Sequence, residues 1–363
     1  MGRRRYLSRS VLMAAAAATS AITLIAPAHE ARAETDVEIT EFEVAQANHG
    51  LAGIAAGPDG NLWVTEQAGN RIDRVTPTGE VSRFDLPTRN ASPFHITVGA
   101  DGALWFTETR ANQIGRITAD GYITEFLVPT ARSEPTGITV GPDGNLWFTE
   151  AAASKIGRIT VDGVISEFRL PTGIAPGAIA SGPDGNLWFA ESSGNRIGRI
   201  TTAGEIVEIV PETAAAGGLE GITAGPDGAM WFTERTRDRV GRITVDRVVT
   251  EFDVAVPGAN QVRPSQLTTG PDGALWVTAR SAGAILRVAT DGSVETFSIP
   301  SPRSDPYGIT AGPDDAVWFT ETGTGKVGRI GPGEPPPPEG PGVSGVTLSV
   351  EPAAAAAGHE VTP

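Results

Sequence analysis

The chain has no cysteine, four histidines and little aromatic content, and each scarcity closes off some functions. Without cysteine there is no disulfide framework, no thiol nucleophile and no thiolate metal site, so the fold must hold by packing alone. Only two histidines, His49 and His95, fall inside the repeated region described below. No Ser-His-Asp arrangement, HExxH pair or phosphate-binding loop is visible. Basic residues are outnumbered, 28 Lys and Arg against 43 Asp and Glu, for a formal charge of −15. A surface of that sign repels nucleic acid and anionic lipid, so neither is expected as a partner. Long apolar runs are missing too. Val11–Ala28 is Ala-rich, too short and too poor in bulky side chains to span a bilayer, so no membrane insertion is expected.

That run follows Arg3, Arg4, Arg5 and Arg9 and precedes Ala31-Arg32-Ala33. A basic start, an apolar stretch and a small-x-small site make a signal peptide over residues 1–33, and the expected location is secreted. Arg3-Arg4-Arg5-Tyr6-Leu7 also resembles a twin-arginine signal. Removing the segment's five Arg and one Glu takes the charge to about −19. At the other end GPGEPPPPEGPG (331–342) reads as a stiff linker, and 343–363 as a tail or the start of a further β module.

Between these ends the chain repeats. GPDGNLWFTE at Gly141 returns as GPDGNLWFAE at Gly182 and GPDGAMWFTE at Gly225. All seven Trp occupy one place in the phrase: Trp63, Trp105, Trp147, Trp188, Trp231, Trp276 and Trp318. Their spacing is in the low forties, with four short apolar strands per copy, which predicts an all-β, seven-bladed propeller over 34–330. Gly and Pro recur inside every candidate helix, which excludes a helical reading. The outer strand appears as ITEF at Ile39, ahead of the first Trp strand, and is missing after the last, KVGRI at Lys326. Ile39–Phe42 is therefore expected to return and complete blade seven, leaving no open edge, and a monomer is expected.

Antiparallel strands put the outer-to-inner and second-to-third connections on one face. There the residue two places before the inner-strand Ile or Leu varies: Ala52, Phe94, Thr136, Gly177, Glu220, Ser265 and Tyr307. This ring should line the channel mouth, where a ligand would sit. Glu220, Asp305, Arg132, Arg263 and Arg303 are the charged candidates in these loops. Alternation should turn His95 away from Phe94. The recurrent strand Glu (Glu66, Glu108, Glu150, Glu191, Glu234, Glu321, with Ala279 the exception) is expected to pair with the recurrent Arg (Arg74, Arg116, Arg158, Arg199, Arg242, Arg287, Arg329), a structural role. The turn Asp is read as turn chemistry.

The phrases P-x-G-I-T-x-G-P-D-G-x-L-W-F-T-E and K/R-I-G-R-I-T-x-x-G-x-I-T-E-F, from Glu38 to Ile330, resemble the streptogramin (virginiamycin B) lyase family. The resemblance implies a seven-bladed propeller, Mg²⁺, and a His base that opens a cyclic depsipeptide ester by elimination. A proton alpha to a carbonyl needs a base with a pKa near the working pH, and a cation steadies the enolate. The family's blade-seven Glu-Pro-His-Gly-Ile is here Asp305-Pro306-Tyr307-Gly308-Ile309, and its blade-six His aligns with Ser265. By this resemblance Asp305 and Glu321 (or Thr322 beside it) would hold Mg²⁺. Tyr307 and Glu220 would position or deprotonate the substrate. Arg263, Arg303, Ser265 and Phe94 would contact it. Two readings follow: a secreted carbon–oxygen lyase on a small cyclic peptide ester, or a non-catalytic secreted propeller binding a peptide, glycan or cell-envelope ligand at the same mouth.

Overall fold

A computed structural model describes residues 37–210 and 218–332. The expected signal peptide, the tail and all but the first two residues of the expected linker lie outside them. The described residues form twenty-eight strands in seven four-stranded antiparallel sheets. Blade three runs outward from Pro135–Val140 through Leu146–Glu150 and Lys155–Ile159 to Ile165–Arg169. In blade seven the outer strand is Val37–Glu43, paired with Lys326–Pro332 in the register Thr40↔Arg329. The ring closes as expected, and its last strand takes in Gly331 and Pro332 from the expected linker.

Each second strand is buried on both faces and carries the repeat's chemistry. The indole N–H of every Trp donates to the turn Asp four residues earlier, at 2.8–3.0 Å. In six blades the Trp ring stacks on the outer-strand Phe, as with Trp147 and Phe168 at 5.5 Å between centroids. The same Asp also takes the recurrent Arg at 2.5–4.0 Å. The expected Glu–Arg pairing is therefore corrected. Register is the reason: Trp147 lies opposite Arg158, and Glu150 three residues on lies opposite Lys155. The Arg belongs to the turn end of the strand and the Glu to the mouth end.

A bulge opens every inner strand. In blade three Pro135 pairs with Glu150 and Ile138 with Phe148, so one strand takes three steps against its partner's two. A second-strand Thr fills the gap. Thr149 Oγ1 accepts from the Gly137 N–H at 2.8 Å and donates to the Gly177 carbonyl of the next blade at 2.7 Å. Thr65, Thr107, Thr233, Thr278 and Thr320 do likewise, the last reaching Ala52 across the closing seam. Each buried bond is worth about 1 kcal/mol. Blade four has Ala190 in this place and lacks the link.

Five third strands carry Gly opposite the second-strand Phe. A Cβ at Gly157 would meet the Phe148 ring at 2.1 Å. Where the Phe is Val the Gly is replaced: Val64 faces Asp73 and Val277 faces Leu286. Gly157→Ala should destabilise by about 1–3 kcal/mol through overpacking. Phe148→Val with Gly157→Leu should cost at least about 1 kcal/mol less than the two single changes summed, read by urea unfolding.

The strand Glu side chains are fully buried and face a second carboxylate from the outer strand: Glu108 with Glu125, Glu150 with Glu167, Glu191 with Glu208, Glu234 with Glu251, Glu321 with Glu41. Burial first, then the facing carboxylate, raises Glu108 to about 8 and the other four to about 7. The folded chain thus keeps protons that the unfolded chain releases near pH 4.5. The resulting stability is full below that pH and is lost as pH rises through 7–8. Thermal melts should fall between pH 5 and 8.5, and Glu108→Gln should flatten the fall by about 2 °C or more. An unfolding temperature that rises over that range would contradict the buried-acid reading.

Candidate functional site

The bulges decide which side chains reach the mouth. An extra residue breaks alternation, so consecutive residues can face the same way. Phe94 and His95 do so. Their rings stack at 4.6 Å with planes 6° apart, and both approach Tyr307, at 5.6 and 5.9 Å. The expectation that His95 turns away is corrected by this bulge, between Pro93 and Ile96.

Tyr307 is the hub. Gln266 Nε2 donates to its hydroxyl at 3.4 Å, and His95 Nε2 lies within hydrogen-bond reach of the same oxygen, at 3.2 Å. Desolvation in the apolar wall holds His95 down, to about 4. Burial, and then the Glu220 carboxylate, push the Tyr307 hydroxyl far up. The hydroxyl stays protonated and the imidazole neutral at pH 7.

On the other side of the hub stands Arg280, its guanidinium 5.1 Å from the Tyr307 ring centre. Its Nε and Nη2 grip both carboxylate oxygens of Asp305, at 2.8 and 2.6 Å. Glu220 accepts from Ser265 Oγ at 2.6 Å and lies 3.5 Å from Arg235 Nε. Ser265 itself is fully buried. Opposite these charges the mouth is small and apolar. Phe94, Thr136, Ala151, Pro176, Gly177 and Ser192 line a cavity of about 270 Å³ that Glu220 and Tyr307 close. Below it Ile54, Ile96, Ile138, Ile179, Ile222, Leu267 and Ile309 line the channel.

The structure thus gathers Phe94, Glu220, Ser265, Asp305 and Tyr307. It does not gather Arg263 and Arg303. Both are exposed at positive φ, and among the described residues neither side chain forms a hydrogen bond or ion pair. The cation at Tyr307 is Arg280, which the sequence reading missed. One signal pointed to it: four places after the Trp, only blades five and six carry a cation, Arg235 and Arg280.

The expected Mg²⁺ ligands do not fit a metal. Asp305 spends both oxygens on Arg280. Glu321 turns into its blade, accepts from Thr324 at 2.7 Å and faces Glu41, and burial keeps it protonated to about pH 7. Among the described residues no three His or carboxylate side chains cluster for a metal.

Seven four-stranded blades around a central channel, with a cavity of about 270 Å³ at one mouth, define a seven-bladed β-propeller. A family model described as the Virginiamycin B lyase family matches residues 11–216 and 173–334, and the chain belongs to that family. The virginiamycin B lyase of Staphylococcus aureus is 38% identical with a TM-score of 0.76, over 81% of this chain and 99% of that one. A solved streptogramin B lyase is 36% identical at the same TM-score, over 81% and 97%. The Bordetella pertussis virginiamycin B lyase is 50% identical over 44 residues, and that match spans only 15% of its length. Another solved structure is a catalytically inactive variant of the Staphylococcus aureus virginiamycin B lyase with quinupristin, 38% identical to this chain.

The mouth's electrostatics are open to direct check. The His95 ring resonances should stay those of neutral imidazole down to about pH 4. A midpoint near the ordinary value of about 6.5 would place the ring in water instead.

Proposed function

We propose that this chain is a secreted, ligand-binding member of the virginiamycin B lyase family. It takes a small amphipathic ligand of cyclic-peptide type in the mouth and does not carry out metal-assisted elimination. The Arg280–Asp305 pair carries this reading. A bidentate guanidinium covers the carboxylate that would otherwise face a cation. Proton abstraction alpha to a carbonyl is served best by a base near the working pH. Tyr307 holds its proton far above that, and His95 at about 4 is a weak base. The cavity between Phe94, Pro176 and Tyr307 supports binding: apolar walls with a few converging polar groups. Export rests on the signal-like segment at residues 1–33.

Family membership and the His95–Tyr307 contact favour one other reading, elimination without a metal. Here His95 would take the proton and Tyr307 would steady the developing oxyanion.

Quinupristin separates the two. Calorimetry should give a Kd in the micromolar range, about −8 kcal/mol, unchanged within twofold by Mg²⁺ or chelator. Chromatography with mass detection should return the antibiotic intact and cyclic. A linear product of unchanged mass would establish elimination and overturn the non-catalytic reading. Absence of binding would remove the cyclic depsipeptide as ligand.

A further inference from the structure

The mouth is divided by charge. Blades two to four contribute Phe94, Thr136 and Gly177, with no ionised group among these ring positions. Blades five to seven contribute Glu220, Arg235, Arg280 and Asp305, two charges of each sign around Tyr307. The four sum to zero, and neither acid offers an exposed, unpaired oxygen to the cavity. Glu220 takes Ser265 on one oxygen, and its other oxygen is buried beside Arg235. Asp305 has both oxygens on Arg280.

Arg280 is different. Asp305 fixes one edge of its guanidinium, and the Tyr307 ring lies beside it. Among the described residues Nη1 has no hydrogen-bond partner, and the side chain keeps 28% of its surface exposed. The guanidinium so held stands 5.1 Å from the centre of the Tyr307 ring, and Tyr307 lines the mouth cavity with Phe94, 5.6 Å from it between ring centres. Ordering this donor costs little on binding, because two strong bonds already hold it.

We infer that Arg280 is the residue that sets ligand specificity, and that the mouth selects an uncharged carbonyl oxygen, of an amide or an ester, beside an aromatic or aliphatic group. The inference rests on the mouth being the ligand site. Its charge logic is direct. The guanidinium is already neutralised by Asp305, and Glu220 also acts on it. A ligand carboxylate entering here adds a third negative group in an acidic protein, against two cations. A neutral carbonyl accepts the same hydrogen bond without that repulsion. A ligand ammonium finds neither acidic side chain with a free outward acceptor. Carbonyl recognition here uses the chain's own cation and needs no metal.

Three fragments of one shape test this: phenylacetamide, phenylacetate and phenethylamine, titrated against the mature protein by ligand-observed NMR with chelator present. Phenylacetamide should bind at least tenfold more tightly than either charged fragment. Arg280→Gln should weaken the amide fivefold or more and leave the three within about twofold of each other. Asp305→Asn should uncover the guanidinium and reverse the order, so that phenylacetate binds best. A merely structural role for the pair would weaken all three alike and reverse nothing. Should Arg280→Gln melt early, Asp305→Asn still reads the order. Equal or tighter binding of phenylacetate by the unaltered protein overturns the inference, as does an unchanged order in Asp305→Asn. Quinupristin, run in parallel, keeps the two conclusions apart. Its failure to bind while the fragment order holds removes only the depsipeptide ligand. Its binding while the order fails removes only the role of Arg280.

Discussion

A threonine hydroxyl set in a β-bulge ties each blade to the next, and the mouth is built on that contact. Thr107 accepts from the His95 amide and donates to the Thr136 carbonyl of the following blade. Six blades repeat the arrangement, and Thr320 carries it over the seam to Ala52. Propeller blades otherwise meet through apolar faces, which resist separation but set no register. The hydroxyl supplies the register, because a buried donor or acceptor left unmet costs more than a met one gains. It also holds the bulge open, and the bulge presents consecutive residues to the channel. Where Ala190 interrupts the series, the neighbouring mouth residues are Gly177 and Glu220, and the cavity lies along them.

Charge is distributed by the same geometry. Antiparallel register carries the recurrent Arg to the turn end of its strand, over the Trp ring and onto the turn Asp. The recurrent Glu is left at the mouth end, fully buried, facing another carboxylate. Such a pair is tolerable only while it shares a proton, which ties the stability of five blades to pH. Blade one escapes by substitution. Its outer strand carries Arg83 where five others carry Glu, and Glu66 is met by Arg71 and His49 at 2.6 and 2.7 Å. These bonds outweigh burial and hold Glu66 low, while burial and Glu66 together hold Asp73 high.

The candidate site follows from breaks in the repeat. Comparing the seven copies position by position isolates Phe94, Glu220, Ser265 and Tyr307; the structure puts Phe94, Glu220 and Tyr307 in the cavity wall and Ser265 buried beneath, bonded to Glu220. That comparison works because equivalent positions in a closed ring meet equivalent surroundings, so an unlike residue with no compensating change beside it, of the kind that pairs Val64 with Asp73, has no packing reason to be unlike. It fails where the surroundings are themselves set by irregular backbone. Strict alternation turned His95 away from Phe94, and one extra residue brings the two rings together. Arg263 and Arg303 were as good candidates as Arg280 by composition. Loop geometry sends them outward and brings Arg280 onto Tyr307.

Blade number, strand count per blade and closure by Ile39–Phe42 were determined by the sequence alone, because each is a matter of counting. A period in the low forties, seven tryptophans and one displaced outer strand leave one way to close the ring. The partners of the charged groups were decided only in three dimensions. Which carboxylate meets which guanidinium depends on strand register, on bulges that break the two-residue alternation, and on loops at positive φ. None of these leaves a periodic mark in the chain. Asp305 reads in one dimension as a cation ligand, and in three it is the clamp of Arg280.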